Sequence, residues 1–309
     1  MDPTRLIFLG GSPRSGTTLA QNMLDSHPDV LGGPEFLHLR DIVDLRRKLS
    51  ISVTKEWITL FCDQAAVDAQ VRGMILNFLL PFADRHDAQR LSEKTPENVL
   101  VFPELLELLP ESYFVFVVRD PRATVASQLS VGKRAVAKGE KPAYFTKDVS
   151  ASVRFVRQCL AAGFRAVEKA PDRVYVLVYE RLVNDPEGEG RRLCEFLGLP
   201  WDEQMLRPGE QSHLGEAAIT TNSQEIWYDK DTYYSNPNTA SLEKWREQLS
   251  AAQQLVINKE FRGMKPLAAL GYDFSDATSG LGAEFARRRI TLKDRALVRL
   301  RKLLEVPQA

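Results

Sequence analysis

No stretch of 18 consecutive apolar residues occurs anywhere in the 309-residue chain, which excludes a membrane-spanning helix at the level of sequence. The chain passes almost directly from Met1 into an apolar strand, with no room for the charged and apolar regions of a secretory leader, so a soluble, cytoplasmic protein is expected. Cysteine is scarce: Cys62, Cys159 and Cys194 are far apart, odd in number and in no metal-ligand spacing. That pattern excludes a disulfide framework and a cysteine-based metal site, and free thiols in a reducing compartment are expected. An excess of one charge is also missing. Lysine plus arginine and aspartate plus glutamate both number 41, so no global field points to nucleic acid and any basic site must be local. No internal repeat is evident.

What is present is enough apolar material, 44% of residues, to bury one large core. Apolar runs rich in Val, Ile, Phe or Tyr predict strands at 6–9, 113–118 and 174–178. Helical periods predict helices at 18–26, within 56–82, and at 97–109, 122–129, 149–169, 187–197 and 242–261. The alternation predicts an α/β protein, a P-loop-type parallel sheet flanked by helices, with ligands at the carboxyl ends of the strands. Residues 1–275 are expected to form the main domain. Residues 276–309 read as a linker and a basic amphipathic helix, open to docking on its own domain, to pairing in a homodimer or to an anionic membrane. A polar, aromatic and asparagine-rich stretch at 219–240 lacks clear periodicity, and a loop of that length usually has a function.

The most informative segment is Leu6-Ile7-Phe8-Leu9-Gly10-Gly11-Ser12-Pro13-Arg14-Ser15-Gly16-Thr17-Thr18. It reads as a buried strand, a phosphate-cradling loop and a helix start. Gly11 and Gly16 occupy the two glycine positions of a Walker-type loop, but Thr17 stands where that loop carries its lysine. Backbone N–H groups, the positive end of a helix and the hydroxyls of Ser15, Thr17 and Thr18 still converge on an anion, and Arg14 brings the charge the lysine would have supplied. A second strand-turn-helix junction, Val118-Arg119-Asp120-Pro121-Arg122-Ala123-Thr124-Val125-Ala126-Ser127, offers Arg119 and Ser127 to another phosphate.

These two loops, with the continuation Met23-Leu24-Asp25-Ser26-His27-Pro28-Asp29-Val30, resemble the 5′-phosphosulfate and 3′-phosphate sites of sulfotransferases that use 3′-phosphoadenosine 5′-phosphosulfate (PAPS). Among them the tyrosylprotein sulfotransferases are most similar, over roughly residues 5–275. The resemblance implies that Arg14, Ser15, Gly16, Thr17, Thr18, Arg119, Ser127, Tyr179 and Lys244 hold PAPS and its product 3′-phosphoadenosine 5′-phosphate (PAP), without a metal. It implies that Glu35, in Gly33-Pro34-Glu35-Phe36, is the catalytic base, with Lys94 in Ser92-Glu93-Lys94-Thr95-Pro96 and Arg14 as the catalytic cations. His38 is the rival base. His38 and Arg40 are expected on the acceptor side, where Leu37 stands in place of a second family arginine. The partner is then a hydroxyl-bearing acceptor: a peptide tyrosine, a phenol, an alcohol or a sugar. Two alternatives stay open, a P-loop kinase or NTPase and a non-catalytic nucleotide-binding protein.

Overall fold

The computed structural model describes residues 2–214, 226, 227, 235–275 and 290. Its backbone divides into two compact units, residues 1–119 with 158–239 and residues 120–157 with 240–309. The first unit carries a parallel sheet of strands β1 (Leu6–Gly11), β2 (Val30–Gly32), β3 (Arg90–Lys94), β4 (Tyr113–Val118) and β5 (Val174–Val178), in the order β2-β3-β1-β4-β5. Strand β1 is central. The chain moves to one side of it for β2 and β3 and to the other for β4 and β5, so a topological switch point falls at its carboxyl end.

Alternation along the strands decides the two faces. Ile7 and Leu9 of β1 and Val115 and Val117 of β4 pack with Met23 and Leu24 of helix α1 (Thr17–Asp25) and with Leu193 and Leu197 further along the chain. Phe8 and Phe114 point the other way and stack with ring centroids 5.2 Å apart, and Phe102 meets Phe114 edge-on at 5.1 Å. Both faces are covered, as a parallel sheet requires.

Two strands and one helix escape apolar patterning. Strand β2 has three residues, and β3 reads Arg-Leu-Ser-Glu-Lys, yet Leu91, Ser92, Glu93 and Lys94 are all buried. Its polar groups are paired instead: Ser92 Oγ donates to Gln21 Oε1 at 2.6 Å, and Gln21 Nε2 donates back to the Ser92 carbonyl at 3.1 Å. Helix α2 (Leu39–Thr54) was not expected from the sequence, and the helical segment expected within 56–82 is α3 (Gln64–Arg85). Glu56 lies between them with φ 61°, in the left-handed region that ends a helix, and Asp63 caps α3 by accepting the Ala66 N–H at 2.8 Å. Only Leu39, Ile42 and Val43 of α2 are buried; its charged face is tied down by Arg46 to Asp68 and Glu107 and by Arg47 to Glu104. The segment expected at 97–109 is a 3₁₀ turn, Pro96–Val101, followed by α4 (Phe102–Leu108).

In the second unit, α5 (Pro121–Ala137) runs two turns beyond the expected 122–129. Asp120 caps it through the Arg122 N–H at 2.7 Å and pairs with the Arg122 guanidinium, which lies over the rings of Trp245 and Phe274. The helix expected at 242–261 is broken. Short Trp245–Gln248 is followed by Ala251–Phe261, because Ser250 and Gln253 form a reciprocal capping box that restarts the helix. Helix α6 (Val149–Lys169) has the expected bounds. The linker and most of the basic helix expected at 276–309 lie outside the described residues, as does most of the 219–240 stretch. No helix among the described residues is long and apolar enough to cross a membrane.

Candidate active site

The loop between β1 and α1 is shaped by two residues in the left-handed region, Arg14 (φ 74°) and Gly16 (φ 97°). Such alternation turns successive N–H groups toward one point. Gly16 is required twice over: a Cβ on it would lie 2.2 Å from the Tyr179 ring, as well as strain the backbone. Gly16 gives α1 no side-chain cap, so the first-turn N–H groups of the helix are left for a ligand. Ser15 Oγ is buried in the same loop without a hydrogen-bond partner.

Arg119, at the end of β4, reaches this loop. Its Nη1 donates to the Arg14 carbonyl at 3.2 Å, and its guanidinium lies 4.3 Å over the centre of the Tyr179 ring. Tyr179 directly follows β5 and opens a short helix, Tyr179–Asn184. Arg14 Nη1 donates to the Trp227 carbonyl at 2.5 Å. The structure therefore brings together Arg14, Ser15, Gly16, Thr17, Thr18, Arg119 and Tyr179 around the switch point. Ser127, half-buried on α5, and Lys244, exposed beside Trp245, belong to the second unit.

The other half of the site is at the carboxyl end of β3, where Lys94 is in register with Leu9 of β1. Lys94 is almost wholly buried, and its Nζ donates to Glu35 Oε1 at 2.5 Å; the Glu35 side chain keeps 29% of its exposure. Arg40 and Glu97 share this neighbourhood: burial raises the Glu97 carboxyl, with Glu35 raising it further and Arg40 and Lys94 pulling it down. His38 is placed differently. Its ring is 71% exposed and its Nδ1 faces Asp41 at 2.8 Å. Leu37 is 61% exposed, and Phe36 packs against Phe78 with centroids 5.3 Å apart.

One buried residue beside the pair carries no signal in an apolar-pattern reading. Glu93 is 2% exposed and accepts three hydrogen bonds, from the Phe36 N–H (3.1 Å), Thr95 Oγ1 (2.6 Å) and Asn98 Nδ2 (2.8 Å). Burial pushes its carboxyl up to about 7 against the pull of those three donors. The one available cue was a carboxylate adjacent in sequence to Lys94. Among the described residues, no cluster of His, Cys, Asp and Glu has the geometry to hold a metal ion.

A parallel sheet with a glycine-bearing anion loop at its switch point defines a P-loop-type α/β protein. Residues 6–203 match the model of the sulfotransferase family, and the chain belongs to that family. It is 35% identical to protein-tyrosine sulfotransferase A of Caenorhabditis elegans, covering 86% of this chain and 67% of that protein. To protein-tyrosine sulfotransferase 1 of Homo sapiens it is 33% identical, covering 87% and 70%. Among solved structures, the sulfotransferase domain of a Synechococcus olefin synthase superposes with a TM-score of 0.54 at 22% identity, covering 87% of this chain and 94% of that one. A mouse sulfotransferase complexed with PAP gives 0.50 at 13% identity, covering 87% and 88%. Both share the fold.

Proposed function

We propose that this enzyme transfers the sulfuryl group of PAPS to an acceptor hydroxyl, with Glu35 as base and Lys94 as the cation beside the leaving oxygen. The observation that carries the reading is the Lys94–Glu35 contact at 2.5 Å, one strand away from an anion loop that has no Walker lysine. The loop suits a phosphosulfate: uncapped N–H groups, the unpartnered Ser15 hydroxyl and the two arginines all offer donors and none offers a carboxylate. PAPS supplies an activated sulfuryl group. Glu35 takes the acceptor's proton as the new oxygen–sulfur bond forms, and the Lys94 ammonium offsets negative charge as the bond from sulfur to the phosphate oxygen breaks. Arg14 and Arg119 neutralise phosphate charge that a kinase would neutralise with Mg²⁺. Ser127 and Lys244 enter this reading as cofactor ligands through sequence resemblance alone.

The acceptor reading follows the relatives' names, which specify protein tyrosine, so a phenolic hydroxyl is the first to test. Alcohols and sugars remain within the class, because Arg40 is retained while exposed Leu37 replaces a second family arginine. The unpaired cysteines support a cytoplasmic enzyme.

The test pairs binding with turnover. PAP raises the thermal midpoint equally with and without EDTA, and Glu35→Ala lowers kcat by roughly 10²-fold or more while PAP affinity is kept. His38→Ala retains turnover. Nucleotide binding that depends on Mg²⁺ assigns the chain to phosphoryl transfer instead, and full turnover in Glu35→Ala with loss in His38→Ala moves the base to His38.

A further inference from the structure

Within the sulfotransferase reading, on which this step rests, the base and the cation lie on separate segments. Glu35 follows β2 on a short turn containing Gly33 and Pro34, and Lys94 ends β3. Side chains on two such segments hold a 2.5 Å contact only if both backbones are fixed, and an error of about 1 Å in placement costs on the order of 10²-fold in rate.

Glu93 touches both. Its Oε1 accepts the N–H of Phe36, which belongs to the peptide group joining Glu35 to Phe36, and the hydroxyl of Thr95, the residue after Lys94. Its Oε2 accepts from Asn98 in the following 3₁₀ turn. One carboxylate thus grips the residue immediately downstream of the base and the residue immediately downstream of the cation. Burial of a carboxylate is unfavourable on its own, and here it is offset by three hydrogen bonds, two of them to the segments that carry the base and the cation. Those ties fix geometry in a way that an apolar side chain, which would leave the three donors unpaired, does not.

We infer that Glu93 is a positioning residue for the reaction, clamping the Glu35 turn to the Lys94 turn from inside the sheet so that base and cation keep their contact.

The chemistry of the clamp separates it from a merely structural role. Glutamine keeps one acceptor oxygen for the Phe36 N–H and Thr95. Its amide nitrogen faces Asn98, whose Oδ1 is buried without a partner and becomes available when the Asn98 amide is turned. Glu93→Gln therefore restores the clamp, and Glu93→Ala abolishes it. The experiment measures kcat with saturating labelled PAPS and a phenolic acceptor, PAP affinity by calorimetry, and the thermal midpoint, for wild type and both variants. Glu93→Ala is expected to lose about 10- to 100-fold in kcat with PAP affinity within about threefold of wild type, and Glu93→Gln to recover at least about half of the wild-type kcat. If Glu93→Ala does not fold, Thr95→Val cuts one tie at nearly constant volume and is expected to lower kcat severalfold with PAP binding intact. Wild-type kcat in folded Glu93→Ala or in Thr95→Val overturns the inference. So does a kcat loss in Glu93→Ala that Glu93→Gln fails to recover although it folds. A wild-type enzyme that binds no PAP and transfers no sulfuryl group fails the parent reading instead, a result visible before any variant is made.

Discussion

Glu93 also couples acidity to stability. Its carboxyl lies at about 7 in the folded protein against an ordinary 4.5, mainly because burial disfavours the charge and secondarily because Glu35 is near. Between those values the folded state holds a proton that the unfolded state has released. The folded protein therefore loses stability as pH rises from about 4.5 to about 7, by on the order of 3 kcal/mol from this group, and no further above 7. Turnover is not expected to follow this change: a proton on Oε2 is met by the same turn of the Asn98 amide that serves Glu93→Gln, so the three ties persist. Denaturant melts from pH 5 to 8 check the stability change. The difference between wild type and Glu93→Gln isolates the contribution, and parallel profiles for the two proteins refute it.

At the scale of elements, the β1–α1 loop is the most constrained segment. Gly16→Ala places a methyl group into the Tyr179 ring and a side chain in the left-handed region. The loop must shift, and PAP affinity is expected to fall by more than about tenfold, since each donor depends on the same backbone path. Titration calorimetry reads this directly, and unchanged affinity shows that the loop is not the phosphate site. This loop was legible from sequence because its chemistry is local: glycines, hydroxyls and an arginine at fixed offsets after an apolar strand. Strands β4 and β5 and helix α6 were legible for a similar reason, as long apolar or amphipathic periods. Strand β3 was not, because four of its five residues are polar or charged and its burial is satisfied by partners as distant as Gln21 and Glu35. The same distance hid α2, whose ion pairs reach Asp68, Glu104 and Glu107. Lys94 was named from its neighbours in sequence, whereas the role of Glu93 emerged only when Phe36, Thr95 and Asn98 were seen around it.

For the whole molecule, residues 6–203 carry the family match and every matched motif ends by residue 275. A chain ended at Ser275 is expected to fold and to bind PAP with affinity within about threefold of the full chain, although its solubility or self-association changes. A well-folded truncated chain that no longer binds PAP places the tail in the nucleotide site. Strand order has a further consequence during synthesis. Central β1 pairs with β3 and β4, and Ile7 of β1 meets Tyr113, 106 residues downstream. At about 5–20 residues per second, the β1–α1 loop waits roughly 5–20 s on the ribosome before its supporting neighbours emerge, and longer before Tyr179 can close over Gly16. During that interval Leu6-Ile7-Phe8-Leu9 is an unpaired apolar strand. Nascent-chain chaperones that bind extended apolar segments are therefore expected to engage this strand until its partners arrive, so β1 is a point of exposure to misfolding during synthesis.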